Sequence, residues 1–268
     1  MSTLVAPFRE VAAYRELLKN LTRRELYQRY RGSMLGALWS FLLPLSFIAA
    51  YTFVFTFIFK VVEIEHYPIF LLCGQVTWLF FSGAIGQCAS SLTANAGLIQ
   101  KVRFPKLVVP LAIVLANLVN FAVLLVLLLA LIIGVHDLHS TLALLPLLIV
   151  LLAAVTLGFG MILAVANVYF RDVEHFLTTI LLPWFFLTPV FYSIANPPKA
   201  ADDHSLLVHA LYYGNFIAPF VENFRRVAFD GVVPSAGQFA YMTAVAAGML
   251  IVGIWMFHRF GDDLAAEL

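Results

Sequence analysis

Residues 107–136 read LVVPLAIVLANLVNFAVLLVLLLALIIGVH, thirty positions without one Asp, Glu, Lys or Arg. A helix rises about 1.5 Å per residue, so about 20 apolar residues cross the hydrocarbon core of a bilayer. Six further charge-free stretches flank this one: 32–59, 66–100, 138–170, 175–198, 204–221 and 232–258. All but 204–221 meet the length comfortably. That exception carries two His, two Tyr, an Asn and a Pro, and reads as a surface or re-entrant segment. The 268 residues are 62% hydrophobic and 12% charged, where soluble domains run near half apolar and a quarter charged. A soluble globular enzyme and a disordered chain are both excluded. The expected fold class is an all-α polytopic membrane protein.

The expected spans are 36–59, 68–93, 107–134, 142–168, 176–194 and 238–257. Six spans place both termini on one side, and the excess of Lys and Arg marks that side as cytoplasmic. With the N-terminus inside, twelve basic residues are cytoplasmic. Four are outside: Lys60, Lys199, Arg225 and Arg226. A seventh span would move only Arg259, so charge alone does not fix the count. The first 31 residues are too charged for a cleavable signal peptide. Cys73 and Cys88 fall on one predicted helix, too far apart to pair, and read as packing residues. No metal-ligand cluster is present.

Residues 8–31 are amphipathic. Val11, Tyr14, Leu18 and Leu21 recur at helical spacing, with Arg9, Arg15 and Lys19 between them. Such a helix lies in the headgroup plane. Thr22-Arg23-Arg24-Glu25 fits a capping box, which predicts one helix ending near Asn20 and a second starting at Thr22. The segment is an anchor, a docking surface for a cytoplasmic partner, or both. Arg29 and Arg31 are placed to reach lipid phosphates. Gly32 and Gly36 form a small-xxx-small pair suited to close helix approach. Trp39 fits an interfacial anchor and Pro44 a kink.

Two cytoplasmic loops follow. Asn95–Lys106 is short and basic, with exposed apolar residues. It is either a turn that fixes orientation or a helix that inserts into a partner's groove; Leu98, Val102 and Phe104 favour the second. Asn167–His175 is too short to be a domain. In the fifth span, Pro183 and Pro189 break the helix, and broken backbone at membrane depth is tolerated only under protein or beside a water-filled cavity. A re-entrant element or pore lining is expected there. Residues 195–236 form the only long loop, with apolar residues suited to short helices in the outer leaflet. The stripe Tyr51, Phe55 and Phe59 reads as helix packing or as a path for sugar rings or lipid. The spans hold no Asp, Glu, Lys or Arg, which disfavours ion-coupled pumps, proton relays and intramembrane enzymes.

Several motifs together resemble a known family: Arg29-Tyr30-Arg31-Gly32-Ser33, Pro68–Gly74, Lys101-Val102-Arg103-Phe104-Pro105, Asn167–Val173, Thr188–Tyr192 and Glu222-Asn223-Phe224-Arg225-Arg226. The chain resembles the membrane subunit of ABC exporters for polysaccharides and polyol phosphates (O-antigen, capsule and wall teichoic acid). The resemblance implies an interface segment over 1–31 and a six-span permease domain over 32–268. It implies a homodimer in the bacterial inner membrane, bound to two copies of a separate ATPase that carries ATP and Mg. The chain itself would hold no cofactor and bind no nucleic acid. Carried over, Arg23, Arg24, Leu98, Gln100, Lys101, Val102, Arg103, Phe104 and Lys106 would contact the ATPase. Arg29 and Arg31 would attract the pyrophosphate of a lipid-linked glycan. Tyr51, Phe55, Trp184, Phe185, Phe186, Phe191 and Tyr192 would line the channel and its gate. Rival readings are an exporter of a small lipid or drug, and a non-transporting membrane scaffold.

Overall fold

The computed structural model describes residues 13–33, 36–58, 64–135, 139–194, 212–261 and 264–267. Among them there is no strand. In chain order the helices are α1 (Arg15–Tyr30), α2 (Trp39–Thr52), α3 (Tyr67–Ala94), α4 (Ala96–Lys101), α5 (Val108–Val135), α6 (Leu145–Tyr169), α7 (Asp172–Leu187), α8 (Ala218–Ala228), α9 (Ala236–Phe260) and α10 (Leu264–Glu267). Among the described residues four helices are long and apolar enough to cross a membrane: α3, α5, α6 with its leading turn from Ser140, and α9. The first expected span is a 3-10 turn (Gly36–Leu38), then α2, then a π stretch (Phe53–Ile58). The fifth is α7, a 16-residue helix, followed by a turn. Phe59 and residues 195–211, which include the first eight residues of the 204–221 segment, lie outside the described residues.

Burial sorts the helices. In α3, 78% of its most apolar window is buried, against 22% in α5 and in α9. α3 and α6 therefore form the centre, and α5 and α9 the flanks. The outward side chains of the flanks remain apolar: Val119, Val123, Val126, Leu131 and Ile133 on α5, and Ile251, Val252 and Trp255 on α9. Such a surface suits hydrocarbon and not water. α1 and α10 pack at the same end of the bundle as α4; α8 packs at the opposite end, against α3 and α6.

Local chemistry sets the helix ends. Ser235 and Gln238 form a capping box that starts α9. The Asn167 side chain accepts from the Glu174 backbone N–H at 3.2 Å, satisfying a donor in the first turn of α7. Pro183 sits inside α7 without ending it, and the helix stops at Leu187, before Pro189. Only the second proline acts as a breaker, through its constraint on the residue before it.

Two expectations at the N-terminal end are overturned. α1 runs without interruption through Thr22, whose hydroxyl donates to the Leu18 carbonyl at 2.8 Å instead of capping a new helix. The packing of α1 on α5 and the burial of Leu21 outweigh the local capping signal. Gly32 and Gly36 have φ of 78° and 47°, and an added Cβ would meet nothing within 4 Å at either. They supply positive φ in a turn. Close approach occurs instead between α6 and α9. A Cβ at Gly158 would lie 2.4 Å from the Met249 carbonyl carbon, and one at Gly253 2.7 Å from the Gly158 carbonyl oxygen.

Gly158→Ala is expected to destabilise the protein by about 1–3 kcal/mol, the usual cost of overpacking. Gly248→Ala, on the same α9 but with open space around it, is expected to be neutral. Thermal unfolding of both variants in one detergent checks the contrast.

Candidate functional site

Phe191 is the hub of an aromatic cluster. Its ring centroid lies 4.6 Å from Tyr51, 4.7 Å from Phe185, 5.5 Å from Phe186 and 6.0 Å from Phe55. The rings come from α2, its π extension, α7 and the turn after it. Four-residue spacing stacks Tyr51 over Phe55 on one side of the helix. Trp184 does not join them. It packs between Trp78, Phe81, Phe159 and Phe216, and its indole N–H donates to Asn215 Oδ1 at 2.8 Å. One residue of helix turns it about 100° from Phe185, into the bundle. Tyr192 folds back on its own turn, its hydroxyl donating to the Leu187 carbonyl at 3.2 Å.

Beside the cluster lies a cavity of ≈ 420 Å³, bordered by Tyr51, Trp78 and Phe185 and by the polar Gln75, Ser82 and Thr178. A second cavity of ≈ 240 Å³ adjoins it, sharing Leu79 and Gly83. The second is amphipathic: Arg29, Gln87, Asn117 and Asn120 are its polar side, and Trp39, Leu43, Phe80, Phe121 and Leu124 its apolar side. Arg29 Nη2 donates to Gln87 Oε1 at 2.6 Å and Asn117 Oδ1 at 3.2 Å. Asn117 also donates to Gln87 Oε1 at 3.3 Å and the Ile113 carbonyl at 2.9 Å, bridging α5 to α3. Gln87 and Asn117 lie 58 and 88 residues from Arg29 in the chain, and no sequence motif connects them to it. Arg31, two residues on, is exposed; it does not share the cavity.

The expected docking residues divide into presented and anchored groups. Arg23, Gln100, Lys101, Val102 and Arg103 are exposed. Leu98 and Phe104 pack against the core, and Lys106 donates to the Gly261 carbonyl just past α9. Arg24 pairs with Glu25 at 3.0 Å and donates to Asn95 Oδ1 at 2.5 Å, tying α1 to the start of the loop. Leu98, Phe104 and Lys106 thus hold the loop down. Alternating burial in so short a segment follows from tertiary packing and leaves little trace in the sequence.

At the other end of the bundle, Glu222 and Arg225 of α8 are 2% and 0% exposed and form a hydrogen-bonded ion pair. From the sequence Arg225 is only one of the basic residues on the outer side, and its burial comes from the fold. Their i, i+3 spacing allows the pair on one helix face, but burial of that face depends on packing against α3. Burial pulls the Arg225 guanidinium below its ordinary pKa, opposed by Glu222, and pushes the nearby Asp230 carboxyl up, opposed by Arg225.

A multi-pass helical bundle with lipid-suited flanks, adjoining cavities and an anchored basic loop defines a membrane permease. The sequence pattern of the ABC-2 type transporter family matches residues 16–229, and the chain belongs to that family. It is 33% identical over 263 residues to the O-antigen export system permease protein RfbA of Myxococcus xanthus, covering 97% of this chain and 98% of that one. A protein of the same name from Klebsiella pneumoniae is 31% identical over 249 residues, 91% and 92% of the two chains. The polysialic acid transport protein KpsM of Escherichia coli is 22% identical over 240 residues, 87% and 89%. The resemblance drawn from the motifs is borne out.

Arg29 and Asn117 are expected to be energetically coupled. In a double-mutant cycle of Arg29→Ala and Asn117→Ala, the coupling in unfolding free energy is expected at about 0.5–3 kcal/mol. Thermal melts of the four proteins measure it, and additive effects would detach Arg29 from the amide bridge.

Proposed function

We propose that the chain is the channel-forming subunit of an ATP-driven exporter that moves a lipid-linked polysaccharide from the cytoplasmic side across the bacterial inner membrane. The observation that carries this is the end-to-end likeness to permeases named for O-antigen export. Six crossings, with α2 and α7 as the two short ones, would place α1, α4 and α10 at the cytoplasmic face. The basic residues Arg23, Lys101, Arg103, Arg171 and Arg259 gather at that end, as the positive-inside rule asks. The working unit is a homodimer with two ATPase subunits, which supply the ATP and Mg chemistry.

The mechanism follows from the cavities. The exposed guanidinium of Arg31 attracts the pyrophosphate of the carrier, and the amphipathic cavity at Arg29 accepts an anionic head beside an apolar chain. The larger cavity offers ring faces for sugar stacking, with Gln75, Ser82 and Thr178 for hydroxyls. The Phe191 cluster closes the far end. ATP binding in the partner shifts the docking loop, whose anchors at Phe104 and Lys106 pass the displacement to α5 and α9.

The charge-reversed variant Lys101→Glu with Arg103→Glu tests the reading. The tagged protein is purified gently from native membranes and the co-purifying chains are identified. The wild type is expected to carry an ATPase in equal amount, and the variant to lose it and surface polysaccharide at unchanged protein level. A wild-type chain that runs alone, in conditions that keep other complexes intact, points to a scaffold. Separately, Arg31→Ala is expected to lower export about tenfold, the cost of one charge-assisted phosphate contact. Unchanged export removes Arg31 from lipid capture.

A further inference from the structure

The Glu222–Arg225 pair has no part in the roles above, yet the fold buries it. A buried ion pair is a poor source of net stability, because desolvation rivals the Coulomb attraction. What distinguishes this pair is where its remaining bonds go. Arg225 Nη1 donates to the Pro189 carbonyl at 2.7 Å. Ser193 Oγ donates to Glu222 Oε1 at 2.8 Å. Pro189 and Ser193 bracket the turn that carries Phe191. The same guanidinium lies 4.1 Å over the Phe70 ring of α3, and Tyr67 of α3 donates to the Phe191 carbonyl at 3.2 Å. The turn rests directly on α3 at Gly74, where a Cβ would lie 3.0 Å from Val190 Cα.

We infer that Glu222 and Arg225 are positioning residues for the gate: together they clamp both ends of the Pro189–Ser193 turn onto α3 and so hold Phe191 in the centre of the aromatic cluster. The inference rests on the reading of that cluster as the gate. The clamp is directional. Arg225 donates to a carbonyl, and Glu222 accepts from a hydroxyl; a pair serving only to neutralise charge makes neither demand.

The test uses the assembled transporter in spheroplasts, with Phe191→Cys as reporter, Cys73→Ala to remove the nearby thiol, and the buried native Cys88 as an internal reference. A membrane-impermeant maleimide reads access. Adding Arg225→Gln is expected to raise labelling of the reporter about tenfold or more, the shift from losing one charge-assisted hydrogen bond, with Cys88 still protected. The charge swap Glu222→Arg with Arg225→Glu is expected to behave like Arg225→Gln, because a carboxylate at 225 cannot donate to Pro189. Arg225→Lys keeps a charged donor and is expected to fall between. Unchanged labelling in Arg225→Gln, wild-type labelling in the swap, or parallel exposure of Cys88 would each overturn the inference. Should Arg225→Gln not accumulate, Ser193→Ala poses the question from the Glu222 side: increased labelling supports the clamp, and no change overturns it. Export by Phe191→Ala is scored separately. If it is unimpaired, the gate reading fails while the labelling comparison still decides the clamp.

Discussion

Inside a bilayer no water is available to the backbone, so a chain that leaves its helix at membrane depth must find partners within the protein. α7 has 16 residues, about 24 Å of helix against a core of about 30 Å. With α7 read as a crossing, as proposed above, the residues after it come under this constraint. The Leu187 carbonyl accepts from Asn215 and Tyr192, the Pro189 carbonyl from Arg225, and the Phe191 carbonyl from Tyr67. Asn215 also donates to the Thr188 hydroxyl, which itself donates to the Trp184 carbonyl. Donors from α3, from α8 and from the segment before it converge on one short turn. The placement of α8, and the burial of a charged pair with it, follow from the need to supply them.

The second constraint is close contact without a hydrophobic driving force. Lipid tails are as apolar as leucine, so helices associate in a membrane through packing and interhelical hydrogen bonds. Glycine provides the packing at Gly158 and Gly253, and at Gly160, where a Cβ would lie 3.0 Å from the Cys88 side chain. Asn117 provides the hydrogen bonds. At Gly160 and Asn117 both devices act on α3, the most buried of the four long helices. α2 and α7 are held to it more loosely, and the cavities open beside α2 and α7. The division between a fixed centre and a less tightly packed side is the arrangement a gated path requires.

The charge-free stretches made the bundle legible because charge exclusion is a property of single residues and needs no knowledge of neighbours. Helix ends fixed by local chemistry, such as Ser235 and Gln238, are legible for the same reason. Pairwise geometry is less so. Gly32 and Gly36 had the spacing of a packing motif, but that spacing means close approach only on a continuous helix, and both adopt positive φ. Trp184 and Phe185 are adjacent in an aromatic run, and only the rotation of α7 sends one into the bundle and the other to the cluster. The burial of Arg225 is not legible in its residue type, because a charge is ordinarily solvated. The sequence signal that could have marked it is Glu222 three residues earlier, on a segment whose other residues are mostly apolar.

For the proposed function, the separation of charge from aromatic surface matters more than either alone. A polymer must move one unit at a time, so each contact it loses has to be replaced by an equivalent contact as the next unit arrives. Ring faces meet that demand, because stacking is tolerant of position along the face. A fixed charge does not: it would hold one unit and oppose the next step. Among the described residues, the lining of the larger cavity includes no Asp, Glu, Lys, Arg or His, while Arg29 borders the smaller one. Charge can then act once, on the anionic head that enters first, and leave the rest of the path to weak and repeatable contacts.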